Sequence, residues 1–279
     1  MKKEVQHRVS ATFEVTDDLL WQAVAGRLPL LPPLTIERSG TIGPLVELAF
    51  ARISMPSAYR SVTIEPSIFN QVVSALSKGE ISGAGIHDRA GVFPLSRYDP
   101  SISADNALWN QWTKHAENAA VVVGLPRALV VGLIGAIGEL QDNVFEHSGQ
   151  PASGLLAYGV SSGTFEFVVA DAGRGVLASL RENQEYAHLT DSGSALRVAI
   201  SDGASRYARN TGHGYGVGQL FRALANHSAE LRFRSGDHAL RLWGDTPSLT
   251  GQVELTQKAW LSGLVVSVRC TPGLSRRGQ

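Results

Sequence analysis

The stretch Glu139-Leu-Gln-Asp-Asn-Val-Phe-Glu-His-Ser-Gly149 closes a long apolar run, residues 128–138. The run reads as a helix entering a protein core, yet it ends in Glu139, Asp142, Asn143, Glu146 and His147. Burying a carboxylate or an amide without a partner costs several kilocalories per mole. Either this end of the helix is solvated, or something polar binds there. Glu139, Asn143 and His147 are spaced i, i+4, i+8 and share one helix face, while Ile137, Leu140 and Val144 lie on another that can go to the core. A carboxylate one turn from a carboxamide suits a magnesium–phosphate site. The amide oxygen can coordinate the hard cation, and the carboxylate can orient or deprotonate water.

Two further segments carry the same ambiguity. In Val168-Val-Ala-Asp-Ala-Gly-Arg-Gly-Val176, Asp171 ends an apolar strand and Gly173 and Gly175 follow. An ionised carboxylate only accepts hydrogen bonds, so it can read an exocyclic amino group such as that of adenine. The glycines admit a ligand close to the backbone; a plain strand-ending turn is the alternative. The segment also fits Gly-x-Gly-x-x-Ala through Ala178, but a dinucleotide fold needs a second strand ending in an acid, and the residues before Asp191 do not read as one. In Gly212-His-Gly-Tyr-Gly-Val-Gly218, four alternating glycines lead into a helix. Such a start can hold an anion on its free N–H groups, or it can serve as a hinge. No Gly-Lys-Ser/Thr follows, so it is not a P-loop.

Around these segments the chain reads as α/β. Residues 11–80 alternate strand-like and helix-like pieces: ATFEV as strand, DDLLWQAVAGRL as helix capped by Asp17 or Asp18, then LTIERS, GPLVELAFARI, YRSVTIEP and a helix stopped by Gly79. Residues 80–103, rich in Gly, Ser and Pro, read as a connector. Residues 176–211 show weak periodicity, the mark of a lid or a disordered segment. AELRFRSGDHALRLWGD reads as a hairpin turned at Gly236-Asp237, and LVVSVRCTP as a last buried strand.

Composition narrows the function classes. With 25 basic and 25 acidic residues the formal net charge is zero, which does not indicate nucleic-acid binding. The single Cys270 rules out an intramolecular disulfide and reads as a buried thiol. The first ten residues lack the apolar stretch of a signal peptide, so a cytoplasmic location is the expectation. Residues 119–138 mimic a membrane span, but Pro126 and Arg127 interrupt it, and the 11 apolar residues that remain are too few to cross a bilayer. A core helix is expected there, and no membrane partner.

Order and spacing join the three motifs. From residue 105 to 272 the chain resembles the GHKL, or Bergerat-fold, ATPase superfamily: ELQDNVFEHS looks like its N box, DAGRG like its G1 box and GHGYGVG like its G2 box. The resemblance implies a C-terminal domain, residues 101–279, built as a two-layer α/β sandwich with a mixed sheet covered by helices. ATP and Mg2+ are the implied cofactors. Glu139 would be the general base that activates water, Asn143 would ligate the metal, and Asp171 would bond the adenine amino group, with Gly173 and Gly175 shaping the pocket. Residues 176–211 would form the lid, and Gly212, Gly214, Gly216 and Gly218 would hold the phosphates. Arg206 and Arg209 would reach the γ-phosphate when the lid closes. One departure stands out. Many members carry Gly-Thr at the last strand, with the Thr near adenine, where this chain has Gly263-Leu264; Ser262 or Ser267 is then the candidate substitute. Residues 1–100 read as a smaller α/β domain, in which LPPLTIERSGTIGPLVELAFARI, a strand, a Gly-rich turn and a helix, looks similar to STAS-like partner-binding segments; any small α/β cap is the alternative.

The implied activity is a magnesium-dependent ATPase whose lid closure gates a protein partner, through the lid or the N-terminal domain, or gates homodimerisation. An anti-sigma-type serine protein kinase and a nucleotide-gated module without turnover stay open. A self-phosphorylating histidine kinase does not fit, because His115 lacks the usual acceptor surroundings.

Overall fold

The computed structural model describes residues 7–37, 40–83, 85, 88–99, 101, 106–201 and 216–272. It is a mixed α/β structure with two sheets. The first is a parallel three-stranded sheet of β1 (His7–Ser10), β2 (Leu34–Glu37) and β3 (Val62–Ile64), in that order. The helices α1 (Phe13–Val24), α2 (Gly43–Ser54) and α3 (Ile68–Lys78) follow its strands. The second sheet contains β4 (Ala90–Pro94), β5 (Leu155–Ser161), β6 (Thr164–Asp171), β7 (Ala229–Gly244) and β8 (Gln252–Cys270), ordered β4-β5-β6-β8-β7. Every pairing in it is antiparallel, where a mixed sheet was expected.

Strand β6 is buried along its whole length, and its alternation sorts the molecule into layers. Phe165, Phe167 and Val169 join a core with α4 (Ala107–Val122), α5 (Arg127–His147) and α8 (Gly216–Leu224). Val168 and Ala170 join a second core with Leu45, Leu48 and Ala49 of α2 and Leu19 and Leu20 of α1. The N-terminal helices therefore cover the sheet's second face. By length and composition α5 could cross a membrane. Here Leu129, Leu133, Ala136, Leu140 and Val144 give it an i, i+3/i+4 stripe that packs into the first core.

A buried polar seam joins the N-terminal helices to the sheet. Glu166 of β6 projects at the start of α2, where the Ile42 and Gly43 N–H groups donate to its two oxygens at 2.9 and 2.7 Å. These donors have no partner inside their own helix, and the positive end of the helix favours a carboxylate. The Ser267 hydroxyl donates to Glu166 Oε1 at 3.1 Å. Burial pushes the Glu166 carboxyl up from its ordinary value, and the three hydrogen bonds pull against that. Beside it Arg232 bridges Glu47, at 2.8 Å, and Asp17, at 2.7 Å, while Lys258 reaches Asp17 at 2.9 Å.

Four local readings change. ATFEV is not a strand: Thr12 caps α1, its hydroxyl accepting from the Val15 N–H at 3.2 Å, and Asp17 is an ion-pair partner rather than a cap. Within the expected connector, β4 pairs with β5. The segment 175–200 holds α6 (Gly175–Leu180) and α7 (Ser192–Ala199), each too short to show helical periodicity. Strand β7 does not turn at Gly236-Asp237 but runs on as one strand through a bulge. Arg234 fills that bulge, donating to the carbonyls of Gly236, His238 and Ala259.

Replacing Glu166 with Ala leaves two buried N–H groups without an acceptor. The expected loss is about 2–4 kcal/mol of stability, read as a lower urea midpoint; an unchanged midpoint would show that the seam does not hold the layers together.

Candidate functional site

The relative positions of α5, the Asp171 loop and α8 follow from which ends of the elements meet. The end of β8 lies beside the start of β7, with Ala229 opposite Cys270 and the Thr271 N–H bonded to the Ser228 carbonyl. A Cβ on Gly124 would stand 3.7 Å from Pro272, so α5 begins at that same end of the sheet. At the opposite end, the Arg174 N–H donates to the Ser148 carbonyl at 2.9 Å, so α5 finishes beside the loop after Asp171. Helix α8 leads into β7 and so ends where α5 begins; the two are antiparallel. Their close approach is at Gly132, where an added Cβ would meet the Ala223 side chain at 2.7 Å. At about 1.5 Å of rise per residue in each helix, the first turn of α8 then lies level with Glu139.

Asp171, the C-terminal half of α5 and the start of α8 thus share one end of the sheet. Glu139 and Asn143 are half-buried on α5, between its apolar stripe and Asp142. Burial, with the Glu139 and Glu146 carboxylates alongside, pushes the Asp142 carboxyl up. His147 lies 3.8 Å from Glu146. Gly216 and Gly218 fall in the first turn of α8. Gly212, Gly214, Arg206 and Arg209 lie outside the described residues. Among the described residues no cluster of three or more His, Cys, Asp or Glu side chains can hold a metal unaided. Asn143, with Glu139 one turn away, instead suits a magnesium ion that takes its remaining ligands from phosphate and water.

Asp171 is 4 % exposed. Its Oδ1 accepts from the Gly173 N–H at 2.7 Å, and the Leu264 N–H also bonds the carboxylate. Burial outweighs both bonds and pushes the carboxyl from 3.8 up to about 6. Gly173 sits so close to Ser148 that a Cβ would collide with its carbonyl. Serines, which the sequence did not single out, stitch this corner. Ser153 accepts from the Ala172 N–H at 3.0 Å and donates to the Gln150 carbonyl at 2.7 Å. Ser235 contacts both the Asp171 loop and Gly263. Of the two expected substitutes for the missing Thr, Ser267 is engaged by Glu166 on the other face, while Ser262 is exposed beside Gly263.

No protein-family model matches the chain, and comparison with curated proteins gives no match.

The raised Asp171 carboxyl has a defined sign. The native state holds this proton more tightly than the unfolded chain does, so its stabilisation is complete below about pH 4 and is lost as pH rises through about 6. The stability of the wild type relative to Asp171→Asn should fall by on the order of 2–3 kcal/mol between pH 4 and pH 7. A difference that stays flat across this range in urea titrations would contradict the burial of an ionisable group at this position.

Proposed function

We propose that the chain binds Mg·ATP at this end of the antiparallel sheet and hydrolyses it, as a Bergerat-type nucleotide-binding domain with a smaller STAS-like unit at its N-terminus. The observation that carries the reading is the convergence of a buried strand-end carboxylate, a half-buried Glu/Asn pair and a helix N-terminus at one corner. Each answers a different part of the ligand. Asp171, when ionised, accepts from the adenine amino group. The N–H groups at the start of α8 face the phosphates, where the helix dipole favours negative charge. The Asn143 amide oxygen holds magnesium, which offsets phosphate charge. Glu139 orients the attacking water and takes its proton.

The segment from α6 through α7 suits a lid. Leu180, Tyr186, Leu189 and Ala195 form a small cluster of their own, so the part between α6 and the start of α7 can shift while Leu196 and Ile200 stay in the first core. Its closure would gate a protein partner or a second copy of the chain. A cytoplasmic location belongs to the same reading.

Calorimetric titration with ATP, with and without Mg2+, followed by a phosphate-release assay, tests this. Asn143→Ala should weaken Mg·ATP binding at least tenfold, on the order of the loss of a metal ligand's orientation. Glu139→Ala should keep binding and lower phosphate release by about 100-fold or more. Unchanged affinity in the Asn143 variant would sink the site assignment. Label from γ-phosphate ATP on a serine of a partner protein would select the serine-kinase alternative, and binding with neither release nor labelling would select a nucleotide-gated module.

A further inference from the structure

Ser235 lies abreast of Leu264, and Leu264 lies abreast of Asp171, so the three residues form one row across β7, β8 and β6. Residues directly opposite one another in a sheet point to the same face, here the face that carries α5. The Ser235 side chain is 2 % exposed. Its hydroxyl donates to the Gly263 carbonyl at 2.7 Å and accepts from the Val176 N–H at 3.0 Å.

The Gly263 carbonyl and the Leu264 N–H belong to one peptide group, which is planar. Ser235 holds the oxygen end of that group. Its N–H end bonds the Asp171 carboxylate. The backbone at this point has little room to settle otherwise. Gly263 has φ +80°, and a Cβ there would collide with the Asp171 carbonyl. The register also shifts between Ser235 and Gly236, so β8 bulges beside this contact. On its other side Ser235 satisfies the Val176 N–H, one of the free donors in the first turn of α6. One hydroxyl therefore holds both boundaries of the loop from Asp171 to Val176: the carboxylate, through a rigid peptide, and the helix that follows the loop.

We infer that Ser235 is the positioning residue for adenine recognition. It aims the Asp171 carboxylate from strand β7 through the Gly263–Leu264 peptide. The inference rests on the ATP reading above. Ser235 need not touch the nucleotide. Its effect is on binding and on the choice of base, not on the chemical step.

The test compares wild type, Ser235→Ala and Ser235→Thr by calorimetric titration with Mg·ATP and Mg·GTP, by thermal melting with and without Mg·ATP, and by steady-state phosphate release. Ser235→Ala should bind Mg·ATP about tenfold more weakly. It should also lose part of its preference over Mg·GTP and show a smaller nucleotide-induced rise in Tm, with KM raised and kcat kept within about twofold. Ser235→Thr should restore part of the affinity; if the added methyl unfolds the protein, the Ala variant's KM-against-kcat split and nucleotide-induced Tm rise carry the test. A Ser235→Ala variant that melts lower but keeps wild-type affinity, base preference and nucleotide-induced Tm rise would overturn the inference and leave Ser235 a structural hydroxyl. Wild type that fails to bind Mg·ATP would overturn the ATP reading itself, a result distinct from a variant that matches a binding-competent wild type.

Discussion

Strand β6 must satisfy a carboxylate while it is buried on both faces, and the rest of the structure follows from how it does so. A bare carboxylate at Glu166 would cost several kilocalories per mole in this position. The first N–H groups of α2 and the Ser267 hydroxyl meet that need. The N-terminal helices are thereby fixed to the rear of the sheet by a polar contact as well as by apolar packing. The Arg232 bridge to Asp17 and Glu47 sits in the same seam, and such buried pairs are costly to break from one side because the remaining charge loses its partner.

The same strand carries the candidate site at its far end. Five residues after Glu166, on the opposite face, Asp171 points toward the layer of α5 and α8. Two carboxyls on one strand are thus raised by burial and answered by different N–H groups: Glu166 by a helix start, Asp171 by its own loop and by β8. The first is spent on holding layers together. The second keeps acceptor capacity at a strand end, among glycines, with a helix N-terminus nearby. That difference in surroundings, rather than residue type, makes Asp171 and not Glu166 the candidate ligand-binding acid.

Much of this was legible in the sequence where the signal was local. The apolar stripe of α5, the strands β5 and β6, the Gly79 stop and the entry to α8 all follow from periodicity and from glycine. What stayed hidden depends on contacts between distant residues. ATFEV looks like a strand until Thr12 is seen as a cap, and RSGD looks like a turn until Arg234 is seen filling a bulge. Strand β4 exists because β5 is there to pair with it. No local pattern announces that Glu166 will meet Ile42, or that Ser235 will hold the peptide bonded to Asp171. The motif glycines and acids could be read as a set, but the serines that orient them could not.

The most direct measurement is a crystal structure with Mg2+ and a non-hydrolysable ATP analogue. The account predicts the adenine amino group within hydrogen-bond distance of Asp171, the metal on the Asn143 amide oxygen and the phosphates over the first turn of α8. An analogue bound at the seam between α1 and strands β7 and β8, or no nucleotide at saturating concentration, would contradict it.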